Sequence, residues 1–505
     1  MSKYDRVLES QFSVTFLSAP NRAAPVCTAK SGEHVNQVVE DPTTRRGLPR
    51  SFLSIDYDKR EGCNFSAILA REAHLNQSSS PSSPVSTPPF AECREKILPL
   101  KRTCLVLIPI RCASPTPSSN IIYTPFAIIR CGSRSESLVR RKEEGTLESK
   151  ISEILDASAY LKLENLQPSH SFKYRGVSLF VQRAKETHGP SVHLVAASSG
   201  NAGLAAACTA NALHVKCSVY LPEGATQSTV DILRRQNAEV IAVGRHYAEA
   251  AQAARAAVER EPGAVLVPAY DHETLWEGHG SMIEEISTQL GSKPDAIFCS
   301  VGGGGLLGGI ITGCKKVCWD DVPIVALETI GCNCFFHSMS CNAGRFNHVN
   351  KVLPPDVDVL YDEKERVTLA RFDKFTSRAS TSLGASQPSA KVVKMALERK
   401  GGTKCVSVPD ELAMQALVSF ADDHKLLVEL ACATTLTPAY KPALFEKLAP
   451  ATPGRKRTVI FVLCGGFKAS LNDALECRKL MNEDVAKGVA WTVLLDDGNT
   501  FEVEK

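Results

Sequence analysis

The run Ser169-His170-Ser171-Phe172-Lys173-Tyr174-Arg175-Gly176 follows a strand-like segment at residues 159–164 and contains the lysine around which the sequence can be arranged. Lys173 lies between a hydroxyl-rich turn and the start of an apolar helix. Desolvation at such a place favours the neutral amine, which can form an imine with an aldehyde cofactor. Most lysines are solvated surface groups, so the meaning of Lys173 depends on the glycine-rich turns that follow it.

The first of these turns is Ser198-Ser199-Gly200-Asn201-Ala202-Gly203, at a predicted strand–turn–helix junction. Glycine permits a tight turn, and the backbone N–H groups at a helix start attract anions. The side chain of Asn201 can donate a hydrogen bond to a ring oxygen or to a carboxylate. An ordinary helix cap is the alternative interpretation.

Four consecutive glycines, Gly302-Gly303-Gly304-Gly305, follow the apolar segment at residues 295–301. Such a run is costly in conformational entropy and is explained where a backbone must wrap closely around a phosphate. No Gly-Lys-Ser/Thr follows, which excludes a Walker loop, and the dinucleotide pattern with its acidic residue is missing as well. The run predicts a phosphate site without a nucleotide, and a flexible loop is the alternative.

Two further motifs end predicted strands. In Cys464-Gly465-Gly466 the thiol could face a heteroaromatic nitrogen, although a buried structural cysteine is the alternative. Glu328, followed closely by Cys332 and Cys334, could hold a monovalent cation with the help of backbone carbonyls. A solvated glutamate at a strand end is the alternative there.

Composition restricts the class of protein. The chain has 505 residues, 44% of them hydrophobic, and a formal net charge of +3, which indicates a globular protein with two or three domains and no nucleic-acid partner. The eighteen cysteines are scattered without a Cys-x-x-Cys pair, which favours reduced thiols over a zinc site. No apolar stretch is long enough for a membrane helix. We therefore expect a cytoplasmic protein without a signal peptide.

The chain changes character along its length. Residues 1–118 are rich in serine and proline and are predicted to form a poorly ordered extension, whereas residues 119–505 form the predicted catalytic region. From about residue 150, apolar strands alternate with helices, which is typical of an α/β fold whose parallel sheets are covered on both faces. Predicted strands span residues 192–196, 216–221, 239–243, 265–267, 295–301, 323–328 and 457–463, and predicted helices span 202–213, 228–236, 247–259 and 278–290.

Taken together, the motifs resemble the serine/threonine dehydratase family of pyridoxal-phosphate enzymes, which have the tryptophan-synthase-β-like fold, and in particular the short L-serine dehydratases. The similarity runs from about residue 121 to 482 in the family's order. It implies a two-domain fold type II enzyme with parallel-rich sheets covered by helices, and a smaller subdomain at about 165–285 inserted in the larger one. The segments that carry it are residues 163–169, 171–176, 199–203, 276–279, 302–305, 328–331, 428–432 and 464–466.

The resemblance also implies residue roles. Lys173 would bind the aldehyde of pyridoxal 5′-phosphate and then move the substrate α-proton. Phe172 and Asn201 would flank the pyridine ring, and Cys464 would lie at its nitrogen. The remaining roles are phosphate binding by Gly302, Gly303, Gly304 and Gly305, contact with the substrate carboxylate by Ser198, Ser199, Gly200 and Asn201, and a K⁺ site formed by Glu328 with the carbonyls of Cys332 and Cys334.

The sequence departs from the family at several positions. His170 replaces a glycine beside the lysine, and we expect its imidazole to crowd the turn or strain its backbone. Phe467 stands where a small polar residue is usual, and Leu430 and Ala433 replace a proline and a glycine. A basic, serine-bearing insertion occupies residues 126–145, in a segment that in the family helps to cover the active site.

The favoured function is a pyridoxal-phosphate-dependent L-serine ammonia-lyase, which converts L-serine, and as a second substrate L-threonine, to pyruvate or 2-oxobutanoate and ammonia. Only about 40 residues follow Cys464, too few for a regulatory domain, so the short catabolic type fits, with a role in gluconeogenesis. The resemblance implies a homodimer that acts on a small amino acid. The alternatives are a serine racemase or other β-replacement enzyme of the same fold, and a catalytically impaired homologue that acts as a binding protein.

Overall fold

The computed structural model describes residues 150–342 and 353–505, together with the backbone of three short strands in the preceding part of the chain. The chain divides into two compact units, Met1–Cys112 and Ala113–Lys505. In the first unit, strands β1 (Phe52–Asp58) and β2 (Gly62–Ile68) pair antiparallel. Apart from these strands and β3 (Ile128–Arg130), the predicted extension at residues 1–118 and the predicted insertion at 126–145 lie outside the described residues.

An eight-stranded sheet organises the second unit. Its five central strands run parallel in the order β13-β10-β9-β14-β4, while β15 and β16 at one edge and β3 at the other are antiparallel. The strands are β3 (Ile128–Arg130), β4 (Ala157–Leu163), β9 (Ala296–Ser300), β10 (Ile324–Thr329), β13 (Thr403–Val408), β14 (Arg457–Leu463), β15 (Trp491–Leu495) and β16 (Thr500–Val503).

A second sheet is smaller and wholly parallel, with the order β7-β6-β5-β8. Its strands are β5 (His193–Ala197), β6 (Lys216–Leu221), β7 (Glu239–Ala242) and β8 (Ala264–Leu266). An antiparallel hairpin is formed by β11 (Val357–Asp362) and β12 (Val367–Phe372). The predicted α/β fold with parallel sheets is thereby confirmed.

Helices cover the sheets. They are α1 (Lys150–Leu155), α2 (Lys173–His188), α3 (Asn201–Leu213), α4 (Gln227–Arg235), α5 (Tyr247–Arg260), α6 (Glu273–Leu290), α7 (Gly305–Lys316), α8 (Cys334–Cys341), α9 (Ser380–Leu383), α10 (Ala390–Glu398), α11 (Asp410–His424), α12 (Leu430–Ala433), α13 (Pro442–Leu448) and α14 (Leu471–Val485). The apolar strands between them form the core, in which the ring of Phe298 stacks on Phe461 with centroids 4.7 Å apart.

Helix α6 begins five residues before the predicted start at Gly278. The ring nitrogen Nδ1 of His272 caps it by accepting the N–H of Thr274, at 3.1 Å. Gly278 instead provides close helix contact, because a Cβ there would lie 2.6 Å from the Cα of Gly176 in α2. The prediction of the start was wrong because a glycine needed for packing was interpreted as a helix boundary.

A network of buried charges joins β4, α2 and α6. The guanidinium of Arg175 donates to the Glu164 carboxylate at 2.7 and 2.9 Å and to the Glu285 carboxylate at 2.8 Å. Glu164 is completely buried, and the buried Lys162 ammonium reaches Glu285 at 2.5 Å. Burial by itself raises the pKa of Glu285, but Arg175 and Lys162 bring that pKa below its usual value. Helix α2, which begins at Lys173, is thereby fixed against the main sheet.

Replacement of Arg175 by methionine should lower the free energy of unfolding by about 3–5 kcal/mol, because Glu164 would keep a buried charge without its main partner. Urea unfolding of the full chain measures this. Arg183→Met on the same helix is the matched control, since Arg183 pairs with Glu277 at the surface, and it should cost less than about 1 kcal/mol. Equal losses in the two variants would contradict the assigned role of Arg175.

Candidate active site

The predicted lysine, cofactor and substrate residues line one cavity of about 560 Å³. These residues are Phe172, Lys173, Ser198, Ser199, Gly200, Asn201, Gly302, Gly303, Gly304, Gly305 and Cys464. The three motifs follow the carboxyl ends of strands in parallel sheets, β5 in the smaller sheet and β9 and β14 in the larger one, and ligands bind at such ends. Glu328, Cys332 and Cys334 do not line this cavity.

Backbone contacts with the end of β14 hold the turn that carries Lys173. The N–H of Phe172 donates to the Cys464 carbonyl at 3.0 Å, and the N–H of Gly466 donates to the His170 carbonyl at 2.7 Å. Gly465 has φ of +88°, and a Cβ there would lie 2.3 Å from the His170 carbonyl oxygen. Only glycine permits this approach, so the glycine pair after Cys464 shapes the lysine turn.

The Lys173 amine lies in the cavity beside few polar groups. Its Nζ donates to the Ala269 carbonyl at 2.8 Å and lies 5.1 Å from the centroid of the Phe172 ring. Burial lowers the pKa of Lys173 from 10.5 to about 8, although Cys464 and Glu429 raise it in opposition. A substantial fraction of the amine is therefore neutral at mildly alkaline pH, as imine formation requires.

The side chain of His279 packs against the turn that carries Lys173. His279 is buried, its Nδ1 accepts the N–H of Gly176 at 3.1 Å, and its ring meets that of Phe172 edge-on with centroids 4.8 Å apart. Burial, together with the charges of Lys173 and Arg175, lowers the pKa of His279 well below its usual value. Reasoning from the sequence quoted His279 within a motif but assigned it no role.

The glycine run forms a cradle made of backbone. Gly304 has φ of +94° and is the N-cap residue of α7. The N–H groups at the start of this helix can bind an anion. A Cβ on Gly303 would lie 2.6 Å from the ring of Tyr270, and one on Gly302 would lie 2.7 Å from the Leu383 carbonyl oxygen. The space for side chains is thus taken by neighbours, and the cradle fits a phosphate.

Cys464 and Ser300 end the neighbouring strands β14 and β9 at the cavity wall. The Cys464 Sγ lies 3.4 Å from the Ser300 hydroxyl oxygen. A thiol and a hydroxyl can each donate to, or accept from, a heteroaromatic nitrogen without bringing a charge. Together with the Lys173 amine and the glycine cradle, this pair fits pyridoxal phosphate. Only its position at the end of a predicted strand distinguishes Ser300 in the sequence.

Asn201 begins α3 and contacts a carboxylate to which sequence reasoning gave no role. Its Nδ2 lies 3.3 and 3.4 Å from the two carboxylate oxygens of Glu429, which is only 6% exposed. The Ser382 hydroxyl lies 2.5 Å from the same carboxylate. Both partners line the cavity. Their contact with Asn201 joins segments about 180 and 230 residues apart, which local sequence patterns do not reveal.

The predicted cation residues lie beside the cavity. The Glu328 carboxylate is fully buried and accepts the N–H groups of Phe335 and Phe336, at 3.0 and 2.6 Å, so it caps the first turn of α8. Burial raises the pKa of Glu328 well above its usual value. The Cys334 thiol points to the Gly302 carbonyl at 3.8 Å, which links this region to the glycine cradle. Within residues 150–342 and 353–505, no group of three His, Cys, Asp or Glu side chains is arranged for a metal ion.

The departures from the family pattern affect the turn less than expected. His170 adopts φ of +58°, the left-handed conformation that glycine favours, but its side chain is exposed and does not crowd the lysine. Phe467 and Leu430 line an adjoining cavity of about 720 Å³ rather than the cavity of Lys173. The expected backbone strain is present at His170, and the expected crowding is not.

Comparisons with known proteins agree with the geometry. Residues 147–465 match the family described as "Pyridoxal-phosphate dependent enzyme". The human protein named L-serine dehydratase/L-threonine deaminase is 35% identical over 326 residues, covering 64% of this chain and 89% of the human one. The L-serine dehydratase of Dictyostelium discoideum is 30% identical over 339 residues, covering 65% and 88%. The crystal structure of a fungal L-serine ammonia-lyase from Rhizomucor miehei is 30% identical with a TM-score of 0.56, covering 65% and 95%. The resemblance drawn from the motifs is confirmed.

Replacement of Gly303 by alanine should weaken the binding of pyridoxal phosphate about tenfold or more. The new Cβ would push against the Tyr270 ring, and such overpacking costs about 1–3 kcal/mol. Fluorescence or absorbance titration with the cofactor measures the Kd. Gly224→Ala is the control, because no atom lies within 4 Å of its Cβ position. An unchanged Kd in Gly303→Ala would contradict the assignment of the glycine run to the phosphate site.

Proposed function

Because this chain belongs to the pyridoxal-phosphate dependent enzyme family, we propose that it is an L-serine ammonia-lyase, with L-threonine as a second substrate. The products would be pyruvate or 2-oxobutanoate, and ammonia. The observation that carries this proposal is the convergence of the Lys173 amine, the backbone cradle of Gly302–Gly305 and the Cys464–Ser300 pair at one cavity. The names of the human, Dictyostelium and fungal proteins support the choice of substrate.

When bound, pyridoxal phosphate supplies an aldehyde and an electron-accepting ring that stabilises negative charge at the substrate Cα. The backbone of Gly302–Gly305 would hold its phosphate, and the Cys464 side chain would face the ring nitrogen without protonating it. Lys173 Nζ would accept the substrate α-proton, for which a depressed pKa is suited. Ser198, Ser199, Gly200 and Asn201, at the start of α3, would orient the substrate carboxylate with backbone and side-chain donors.

Further parts of the proposal follow from the resemblance. We propose a homodimer in the cytoplasm that serves amino-acid catabolism and gluconeogenesis. K⁺ would bind near Glu328 and the carbonyls of Cys332 and Cys334. Residues 119–505 would be the catalytic region, in which the smaller parallel sheet marks an inserted subdomain at about 165–285, and residues 1–118 a separate extension. In the part of the chain that the structure describes, no helix has both the length and the apolar character needed to cross a membrane.

With pyridoxal phosphate added, the full chain should release pyruvate and ammonia from L-serine in equal amounts. Lys173→Ala should reduce this rate about 10³-fold, because the group proposed to accept the α-proton is removed. A coupled lactate dehydrogenase assay measures pyruvate. Lys479→Ala, at an exposed position of α14, should have the rate of the unaltered chain.

Two outcomes would contradict the proposed function. If the unaltered chain develops the absorbance of a lysine imine but forms no pyruvate, the reaction is different. If it develops no imine absorbance at all, the alternative of a catalytically impaired binding protein is favoured.

Racemisation of serine is a second candidate, and the position of Ser199 favours it. A racemase needs a second proton-transfer group besides the lysine, and a serine is typical in that role. Ser199 lines the same cavity as Lys173, and within the described residues its hydroxyl has no hydrogen-bond partner. The neighbouring Ser198 hydroxyl oxygen accepts the N–H of Gly200 at 3.1 Å, which fixes the position of that oxygen, so Ser199 is the candidate.

If the chain racemises serine through Ser199, then Ser199→Ala should abolish the formation of D-serine while pyruvate formation from L-serine falls less than tenfold. Chiral chromatography of the reaction mixture measures both products. Ser198→Ala is the comparison, since its hydroxyl is held by the backbone. Absence of D-serine with the unaltered chain, or equal loss of both products in Ser199→Ala, would exclude the racemase role.

A further inference from the structure

Glu429 is a buried carboxylate in the cavity wall that takes no part in the proposed chemistry. It precedes α12, is 6% exposed, and its oxygens are surrounded by hydrogen-bond donors. These are the Ser382 hydroxyl at 2.5 Å, Nδ2 of Asn201 at 3.3 and 3.4 Å, and the N–H of Lys468 at 3.2 Å. The donors come from three separate segments, so the carboxylate joins α3, α9 and the segment after β14 at the cavity.

The contacts of Asn201 settle the orientation of its carboxamide. The N–H of Phe467 lies 3.2 Å from Oδ1 of Asn201, and a backbone N–H can only donate. The oxygen therefore faces Phe467, and the NH₂ group faces Glu429. Turning the amide over would set an oxygen against a carboxylate and an NH₂ group against an N–H. The same Nδ2 also lies 3.4 Å from the Ser382 hydroxyl oxygen, so the NH₂ group is turned to Glu429 and Ser382 in the cavity wall.

Gly466 leaves room for this arrangement. Its φ is +149°, and a Cβ on it would lie 2.0 Å from Cδ of Glu429. Any side chain there would displace the carboxylate. The second glycine of the segment Cys464-Gly465-Gly466 therefore serves Glu429, whereas the first serves the lysine turn through the close approach of Gly465 to His170.

The Glu429 carboxylate also lies in the wall of the cavity that contains Lys173. The ionisable groups that face Lys173 are Cys464, Glu429 and His279, and burial keeps His279 neutral by lowering its pKa. Burial lowers the pKa of Lys173 to about 8, and Glu429 counters this change. Burial raises the pKa of Glu429 itself, while its donors and the charge of Lys468 lower it, and the thiol of Cys432 is its other ionisable neighbour.

We propose that Glu429 is a positioning residue of this site, which holds the Asn201 carboxamide in one orientation and places a negative charge in the wall of the cavity that contains Lys173. It acts through these two residues and not by contact with the substrate. The inference rests on the proposed function in so far as Lys173 binds the cofactor. It adds the Glu429 carboxylate to the groups that influence the protonation of Lys173 before any substrate is present.

The charge effect is measured on the full chain without added cofactor. Trace labelling with acetic anhydride across a pH series, read by mass spectrometry of the peptide that contains Lys173, gives the pH of half-maximal reactivity. Without the negative charge the amine loses its proton at lower pH, so Glu429→Gln should move this midpoint down by roughly half a unit or more from about 8. Glu429→Asp, which keeps the charge, should stay near the midpoint of the unaltered chain.

Glu284→Gln is the matched control, because Glu284 pairs with Lys316 at the surface of α6, and its midpoint should not move. The positioning effect is measured by titration with pyridoxal phosphate, for which Glu429→Gln should raise the Kd about tenfold, since the amide of Asn201 is then free to turn. If Glu429→Gln is not recovered folded, Ser382→Ala replaces it in this titration and should raise the Kd about threefold.

A labelling midpoint in Glu429→Gln equal to that of the unaltered chain would overturn the charge effect. A Kd for pyridoxal phosphate unchanged in both Glu429→Gln and Ser382→Ala would overturn the positioning effect. Neither measurement involves turnover of serine. A chain that fails to deaminate serine can therefore still support the role of Glu429, and an active ammonia-lyase can still contradict it.

Discussion

The buried guanidinium of Arg175 is the constraint on which the rest of the site depends. A charge taken out of water is tolerated only when its partners are all in place. The partners of Arg175 are Glu164 in the turn after β4 and Glu285 in α6, and Lys162 of β4 also pairs with Glu285. Arg175 lies two residues after Lys173, so the network fixes the position and the rotation of the first turn of α2 relative to the main sheet. The lysine can then be weakly solvated and still be held at one point of the cavity.

Close backbone contacts also hold the turn that carries Lys173. Helices α2 and α6 approach closely at Gly176 and Gly278, and the His279 imidazole of α6 accepts the N–H of Gly176 in α2. Across the site, Gly465 and Gly466 let the segment after β14 touch the lysine turn and Glu429. Glycines therefore permit the close approach on both sides of the lysine turn, and the His279 imidazole adds a hydrogen bond on one side.

Much of this arrangement could be predicted from the sequence. The strands Lys216–Leu221 and Arg457–Leu463 have the predicted bounds, and the apolar runs with their following glycine turns identified the cavity wall. Local patterns carry such information, since strand and turn preferences depend on neighbours. Contacts over long separations do not leave a local pattern. The contact of Asn201 with Glu429, the pairing of Ser300 with Cys464, and the capping of α8 by Glu328 became evident only in the fold.

Two departures from the family pattern, His170 and Phe467, contact the site through their backbone and not through their side chains. His170 contributes its carbonyl to Gly466, and Phe467 contributes its N–H to Asn201. A side chain at either position can change without the loss of these hydrogen bonds, provided that the backbone keeps its conformation. For Phe467 this requires nothing unusual. For His170 it requires the left-handed conformation, which costs about 1–2 kcal/mol for a residue other than glycine. The ion pairs of the adjacent Arg175 network hold the turn against that cost, so the strain at His170 is compatible with an intact lysine site.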